Sequence, residues 1–62
     1  MGEIIRDLRE KAKMSQDELA EKSGLSRVTI SKIECGKVEF VSTKTIAAIA
    51  EALEVPVSIF FT

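Results

Sequence analysis

Residues 15–36 read SQDELAEKSGLSRVTISKIECG, and this segment carries the strongest structural signals of the chain. It contains two helix starts of the same kind. Ser15 caps the first start and is followed three residues later by Glu18, which is the pairing of a capping box. Ser26 caps the second start. Gly24 lies between them and suits the left-handed backbone at which helices end, so the sequence predicts two short helices joined by a tight corner.

A corner of this kind needs a small side chain where the helices approach, a glycine at the bend and apolar residues beneath it. The sequence has all three at the spacing of a helix-turn-helix, in residues Ala20, Gly24, Leu25, Ile30 and Ile33. On the second helix Ile30 and Ile33 share one side, which leaves another side free of core contacts. That outer side carries Arg27, Val28, Ser31 and Lys32.

The rest of the chain adds three helices to this pair. Ser42 caps another start, and Gly36 ends the helix that follows the corner. The predicted helices are Glu3 to about Lys13, three that begin near Gln16, Arg27 and Thr43, and a short one from Pro56 to about Phe61. We therefore predict a single all-α domain over residues 1–62, with five helices in a compact arrangement.

The composition limits the chemistry that the chain can perform. The 62 residues include one cysteine and no histidine. A single cysteine excludes an intramolecular disulfide, and the sequence has neither paired thiols for zinc nor a cysteine and histidine for nucleophilic catalysis. Asp17 and Glu21 are spaced like acids on a solvated helix face. We therefore expect no enzyme activity, no metal, no cofactor and no small-molecule ligand.

The charge of the chain is unevenly distributed. The formal net charge is −1. Residues 22–37 carry four basic side chains and one acidic one, a net charge of +3, whereas the remainder carries five basic and nine acidic ones, a net charge of −4. The positive charge is therefore concentrated on the corner and on the helix that follows it.

Two stretches, IRDLREKAKMSQDELAEKSGLSRVTISKIECGK and TIAAIAEALEVP, resemble the phage-repressor and Cro-like helix-turn-helix family. The resemblance runs from about Ile4 to Phe61. It implies a five-helix, lambda-repressor-like fold whose third helix lies in the major groove of double-stranded DNA, in a homodimer that binds a palindromic operator. Two features depart from the family pattern: the loop KVEFVS is longer, and Cys35 replaces a polar or basic residue.

The resemblance implies three base contacts on the third helix, and the chemistry of each side chain agrees. Arg27 has a guanidinium that can bond a guanine edge at two points. Val28 has no hydrogen bond to offer, so a thymine methyl is its natural partner. Lys32 lies just over one turn later and can reach a guanine or a phosphate. The alternative is that all three are ordinary surface side chains.

Other residues are assigned to the DNA backbone or to the protein frame. Gln16 resembles the family's glutamine at the start of the second helix. That glutamine contacts the DNA backbone and supports the third helix. Further candidates for phosphate contacts are Thr29, Ser31 and Lys37. The family also pairs an arginine of helix 1 with a glutamate near the end of helix 3. These residues are Arg9 and Glu34 here, and the ion pair would be structural.

The carboxyl end points to a second copy of the chain as a partner. The resemblance implies inward positions for Val57, Phe60 and Phe61, whereas Ile59 falls where relatives often carry a polar residue. Because this terminus forms the dimer contact in many relatives, Val55 and Ile59 are assigned to a dimer interface.

The leading hypothesis is a sequence-specific DNA-binding transcriptional regulator, expected to be a repressor that occupies its operator as a homodimer. The alternative is a module that keeps the fold but binds another protein, as an antitoxin or anti-repressor does, and the net acidity and Cys35 favour it. No apolar run approaches the roughly 20 residues that span a bilayer, so we expect no membrane partner and a cytoplasmic location.

Overall fold

The computed structural model describes residues 1–38 and 41–61, so Glu39 and Phe40 of the KVEFVS loop and the terminal Thr62 lie outside the described residues. Four α-helices follow one another: α1 (Gly2–Lys11), α2 (Gln16–Ser23), α3 (Arg27–Glu34) and α4 (Thr43–Leu53). A 3₁₀ helix covers Val57–Phe60. All regular structure in the described ranges is helical, which confirms the all-α prediction. None of these helices is long and apolar enough to cross a membrane.

Serine caps begin α2, α3 and α4 at the predicted residues. The Oγ of Ser15 accepts a hydrogen bond of 3.0 Å from the backbone N–H of Glu18. The Glu18 carboxylate accepts one of 3.4 Å from the Ser15 N–H, which completes the capping box. Ser26 and Ser42 accept bonds of 3.1 and 3.2 Å in the same way from the residues three positions on. These local bonds fix where each helix begins.

A residue with left-handed backbone follows each α-helix. Gly24 after α2 and Gly36 after α3 have φ of 76°, as their position in the sequence predicts. The other two are Lys13 after α1 (φ 58°) and Glu54 after α4 (φ 59°), which are unusual residues for this conformation. Because the chain turns at Lys13, α1 ends at Lys11, slightly before its predicted end.

The predicted fifth α-helix is a 3₁₀ helix of four residues. Pro56 precedes it with extended backbone (φ −70°, ψ 146°) and is not its first helical residue. The N–H of Ile59 donates to the Pro56 carbonyl at 3.2 Å, a bond that spans three residues. Segments this short commonly adopt the tighter 3₁₀ geometry, so the described residues form four α-helices and not five.

The core lies where the four α-helices meet. Each α-helix contributes one large side chain with less than 2% exposure, and these are Ile5, Leu19, Ile30 and Ile49. The other buried apolar residues are Ala20, Ile33, Ile46, Ala50, Ala52, Leu53 and Phe60. The apolar residues that precede the three serine caps pack against this core. Burial from every helix holds α3 in one orientation relative to the others.

The last turn of the chain differs from the prediction in one residue. Phe60 is buried and Val57 packs against the core, as expected. Phe61 is 61% exposed, so the inward position predicted for it was wrong. The 3₁₀ helix ends at Phe60, and the backbone of Phe61 (φ −116°, ψ 9°) leaves that helix. Two neighbouring phenylalanines therefore face different surroundings.

Candidate nucleic-acid interface

The corner between α2 and α3 is formed by Gly24 and Leu25. Gly24 has φ 76° and ψ 14°, and the N–H of Leu25 donates to the Ala20 carbonyl at 3.1 Å. A Cβ at Gly24 would meet no heavy atom within 4 Å among residues 1–38 and 41–61, its chain neighbours apart. Glycine is therefore needed here for its backbone conformation and not for space. The turn leaves α2 and α3 packed against each other, which is the predicted helix-turn-helix.

The two sides of α3 differ sharply in exposure. Ile30 and Ile33 are 0% and 4% exposed on the inner side. On the outer side Val28 is 61% exposed, and the long cationic side chains of Arg27 and Lys32 are also exposed. These three residues and Ser31 line one shallow depression in the surface. The structure therefore brings the three predicted base contacts together on one solvent-facing side of α3.

A nearly buried ion pair fixes the carboxyl end of α3. Arg9 Nε lies 2.8 Å from Glu34 Oε2, and Arg9 Nη2 donates to Glu34 Oε1 at 3.0 Å. Arg9 Nη1 donates to the Met14 carbonyl at 2.7 Å. The side chains of Arg9 and Glu34 are 12% and 4% exposed. The hydrogen bonds to Glu34 raise the pKa of the Arg9 guanidinium, so this cation stays charged.

Gln16 joins the same cluster from the first position of α2. Its side-chain nitrogen donates to Glu34 Oε1 at 3.2 Å. Glu34 thus accepts hydrogen bonds from a residue of α1 and from a residue of α2. The structure places Gln16, a predicted contact to the DNA backbone, in direct contact with the last turn of α3.

The other three predicted backbone contacts lie along α3 and just beyond it. Thr29 is half-buried, and its hydroxyl is 2.8 Å from the Oγ of Ser26. Ser31 is half-buried beside the predicted base contacts, and Lys37 is exposed after the turn that ends α3. Cys35 caps the end of α3 and is exposed. Thr29 is therefore engaged within the protein, whereas Lys37 extends into solvent.

One contact on this surface was missed in the sequence analysis. Arg27 Nε lies 3.3 Å from Asp17 Oδ1, and the two side chains are 67% and 76% exposed. By its sequence, Asp17 is predicted only to lie on a solvated helix face. Its partner is ten residues away, across the corner, so spacing along a single helix gives no signal for the pair. The angle between α2 and α3 brings the two residues together.

The residues assigned to a dimer interface are partly covered by their own subunit. Val55 and Ile59 are half-buried and pack against the core. Phe61, two residues after Ile59, is the most exposed large apolar side chain of this region. The apolar surface at the carboxyl end therefore combines the outer parts of two anchored side chains with an exposed aromatic ring.

Known proteins resemble the chain in sequence. A model of the helix-turn-helix family matches residues 5–60. The HTH-type transcriptional repressor RghR of Bacillus subtilis strain 168 is 46% identical over 55 residues, which are 89% of this chain and 41% of RghR. An uncharacterized HTH-type transcriptional regulator of that strain, RghRB, is 44% identical over 55 residues, or 89% of this chain and 40% of RghRB. The chain spans about two fifths of the length of these curated relatives.

Solved structures resemble the chain in fold as well. Two crystal structures of singly substituted forms of the restriction-modification controller protein C.Esp1396I have TM-scores of 0.88 and 0.87 with this fold, each at 35% sequence identity. Each alignment covers 97% of this chain and 77% of the controller protein. From its fold, its helix-turn-helix and these matches, the chain belongs to the Cro-like helix-turn-helix family, whose members are transcriptional regulators and not enzymes.

Proposed function

We propose that the chain is a sequence-specific DNA-binding domain that reads double-stranded DNA with α3 in the major groove. The observation that carries the proposal is the outer side of α3, where Arg27, Val28 and Lys32 share one exposed surface. B-DNA admits an α-helix in its major groove, and the edges of the bases there present donors, acceptors and methyl groups. The exposed cations and the exposed valine complement those groups.

Each of the three side chains has a distinct proposed partner. Arg27 stands at the first position of α3 and donates two hydrogen bonds to the O6 and N7 of a guanine. Val28 contacts a thymine methyl, which accounts for a large apolar side chain that is 61% exposed. Lys32, about one turn further along α3, donates to a guanine or a phosphate.

We propose that polar residues around α3 contact the phosphates and so fix the position of α3 along the DNA. Gln16 uses the remaining hydrogen of its amide, since one already points to Glu34. Lys37, exposed beyond the end of α3, adds a charge-based contact. The residues proposed for backbone contacts are Gln16, Thr29, Ser31 and Lys37.

We propose repression as the regulatory outcome and a homodimer as the binding unit. The relative RghR is named a transcriptional repressor, which supports the first point. For the second, a twofold axis near Val55, Ile59 and Phe61 would bury the apolar carboxyl end and set two α3 helices roughly 34 Å apart, one turn of DNA. The binding unit would act in the cytoplasm, in contact with DNA.

Selection from a pool of random duplexes tests the proposal. We expect enrichment of two inverted half-sites about one helical turn apart, and sedimentation of the complex as two protein chains per duplex. Gel shifts at low and higher salt should then show tighter binding to the enriched duplex than to random duplex. Absence of binding to both duplexes at low salt would contradict the proposal and favour a protein partner.

A matched pair of lysines localises the binding surface. Lys32→Ala should weaken binding to the enriched duplex, whereas Lys22→Ala should leave it nearly unchanged. Lys22 is exposed in the last turn of α2, at the opposite end of that helix from Gln16. Equal losses from the two substitutions would show that binding follows total charge and not the outer side of α3.

A further inference from the structure

The contact between Asp17 and Arg27 carries an inference that rests on the proposed function and deepens it. We propose that Asp17 is a positioning residue for Arg27 and a determinant of sequence specificity. The carboxylate of Asp17 holds the Nε edge of the guanidinium, so that the opposite edge faces a guanine in the major groove. Asp17 also makes the same surface less attractive to a phosphate.

The geometry separates the two edges of the guanidinium. The contact with Asp17 Oδ1 is through Nε, at 3.3 Å. Among the described residues 1–38 and 41–61, this ion pair is the one polar contact of the Arg27 guanidinium, and the side chain is 67% exposed, so its terminal nitrogens stay available. Because bidentate recognition of guanine needs two N–H groups on one side of the guanidinium, Arg27 can keep Asp17 and bind a base simultaneously.

The two acidic residues at the start of α2 have different partners, and only one of them contacts Arg27. Asp17 and Glu18 are both acids in the first turn of α2. The Glu18 carboxylate turns back to the N–H of Ser15 in the capping box, whereas the Asp17 carboxylate reaches across the corner to Arg27. Both carboxylates suit the positive end of the α2 dipole, but only Asp17 contacts the side chain proposed to read a base.

Asp17 has two opposing effects on the free energy of DNA binding, and only the first depends on the base sequence. Holding a long arginine in one orientation reduces the side-chain freedom that it must lose on binding, which favours the one base it faces. An extra negative charge beside the groove repels phosphates, which disfavours binding to any sequence. Asp17 should therefore tighten the preference for guanine and weaken binding to random duplex.

The test compares Asp17→Asn with Glu51→Gln, which removes one carboxylate charge from an exposed position on α4. Each variant is measured on the enriched duplex, on that duplex with the guanine opposite Arg27 changed to adenine, and on random duplex. We expect Asp17→Asn to reduce the guanine-to-adenine affinity ratio by about two- to fivefold, the range of an exposed ion pair. It should also tighten binding to random duplex. Glu51→Gln should leave the ratio unchanged.

Two further variants separate positioning from a general structural effect. Asp17→Glu keeps the carboxylate and should preserve the preference for guanine. In an Arg27→Ala background, Asp17→Asn should no longer change that preference, because the side chain on which it acts is gone.

The measurements distinguish failure of the role of Asp17 from failure of DNA recognition itself. An unchanged ratio in Asp17→Asn would overturn the role of Asp17 while leaving DNA recognition intact. An equal change in the ratio with Arg27 present and in the Arg27→Ala background would do the same. If the unsubstituted protein itself fails to distinguish enriched from random duplex, the proposed function fails, and the role of Asp17 fails with it.

Discussion

Arg9 and Glu34 join the end of α1 to the last turn of α3 through hydrogen bonds of 2.8 and 3.0 Å between nearly buried side chains. Removing one partner leaves the other charge without compensation in a poorly solvated site. We expect Glu34→Ala to lower the free energy of unfolding by about 3 to 5 kcal/mol, measured by urea denaturation. Arg6→Ala, which truncates an exposed arginine of α1, is the matched control and should cost little.

A second prediction concerns Gly2, where α1 meets the end of α3. A Cβ at this residue would clash with the Ile33 carbonyl and lie 3.0 Å from the Glu34 carbonyl. Alanine usually stabilises a helix relative to glycine, but overpacking against backbone costs more. Gly2→Ala should therefore lower the free energy of unfolding by about 1 to 3 kcal/mol in thermal or urea unfolding. A rise in stability would contradict the close approach of the two helices.

A third prediction concerns the residues with left-handed backbone that follow the helices. Lys13 and Glu54 adopt φ near 60° at a steric cost that glycine avoids. Lys13→Gly and Glu54→Gly should each raise the free energy of unfolding by about 0.5 to 1 kcal/mol, since glycine's greater freedom in the unfolded chain offsets part of the gain. Gly24→Ala should lower it by about 1 to 2 kcal/mol through backbone strain alone. The same sign for both kinds of substitution would contradict this explanation.

A fourth prediction separates base contacts from phosphate contacts. Arg27→Ala should cost about 1 to 3 kcal/mol on the enriched duplex and relax the preference at one base position in each half-site. Lys37→Ala should weaken binding to all sequences alike and reduce the slope of log affinity against log salt by about 1. Fluorescence anisotropy across a salt series measures both effects. Equal losses on enriched and random DNA from Arg27→Ala would contradict its assignment to a base.

Features set by neighbouring residues could be predicted from the sequence. Ser15 and Ser26 cap helices through bonds to residues three positions on, and Gly24 takes a backbone conformation that glycine adopts at low cost. The apolar spacing of Ile30 and Ile33 likewise identified the inner side of α3, because burial follows the helical period.

The remaining features depend on how the helices pack against one another, or on local backbone strain that the stability of the whole fold outweighs. Lys13 and Glu54 have no intrinsic preference for left-handed backbone, so only the completed fold explains their conformation. The contact of Asp17 with Arg27 requires the angle at the corner, which spacing along one helix does not give. The exposure of Phe61 depends on where the 3₁₀ helix ends, and segment ends are difficult to predict from short patterns.

The inner contacts of α3 have a consequence for how such a domain diversifies. Ile30, Ile33 and Glu34 anchor the helix, whereas Val28 and Lys32 lie outside the buried cluster. The residues that anchor α3 and the residues that face solvent are therefore different positions of one short helix. Under the proposed function, exchange of the surface positions would change which DNA sequence the domain binds without changing its free energy of unfolding.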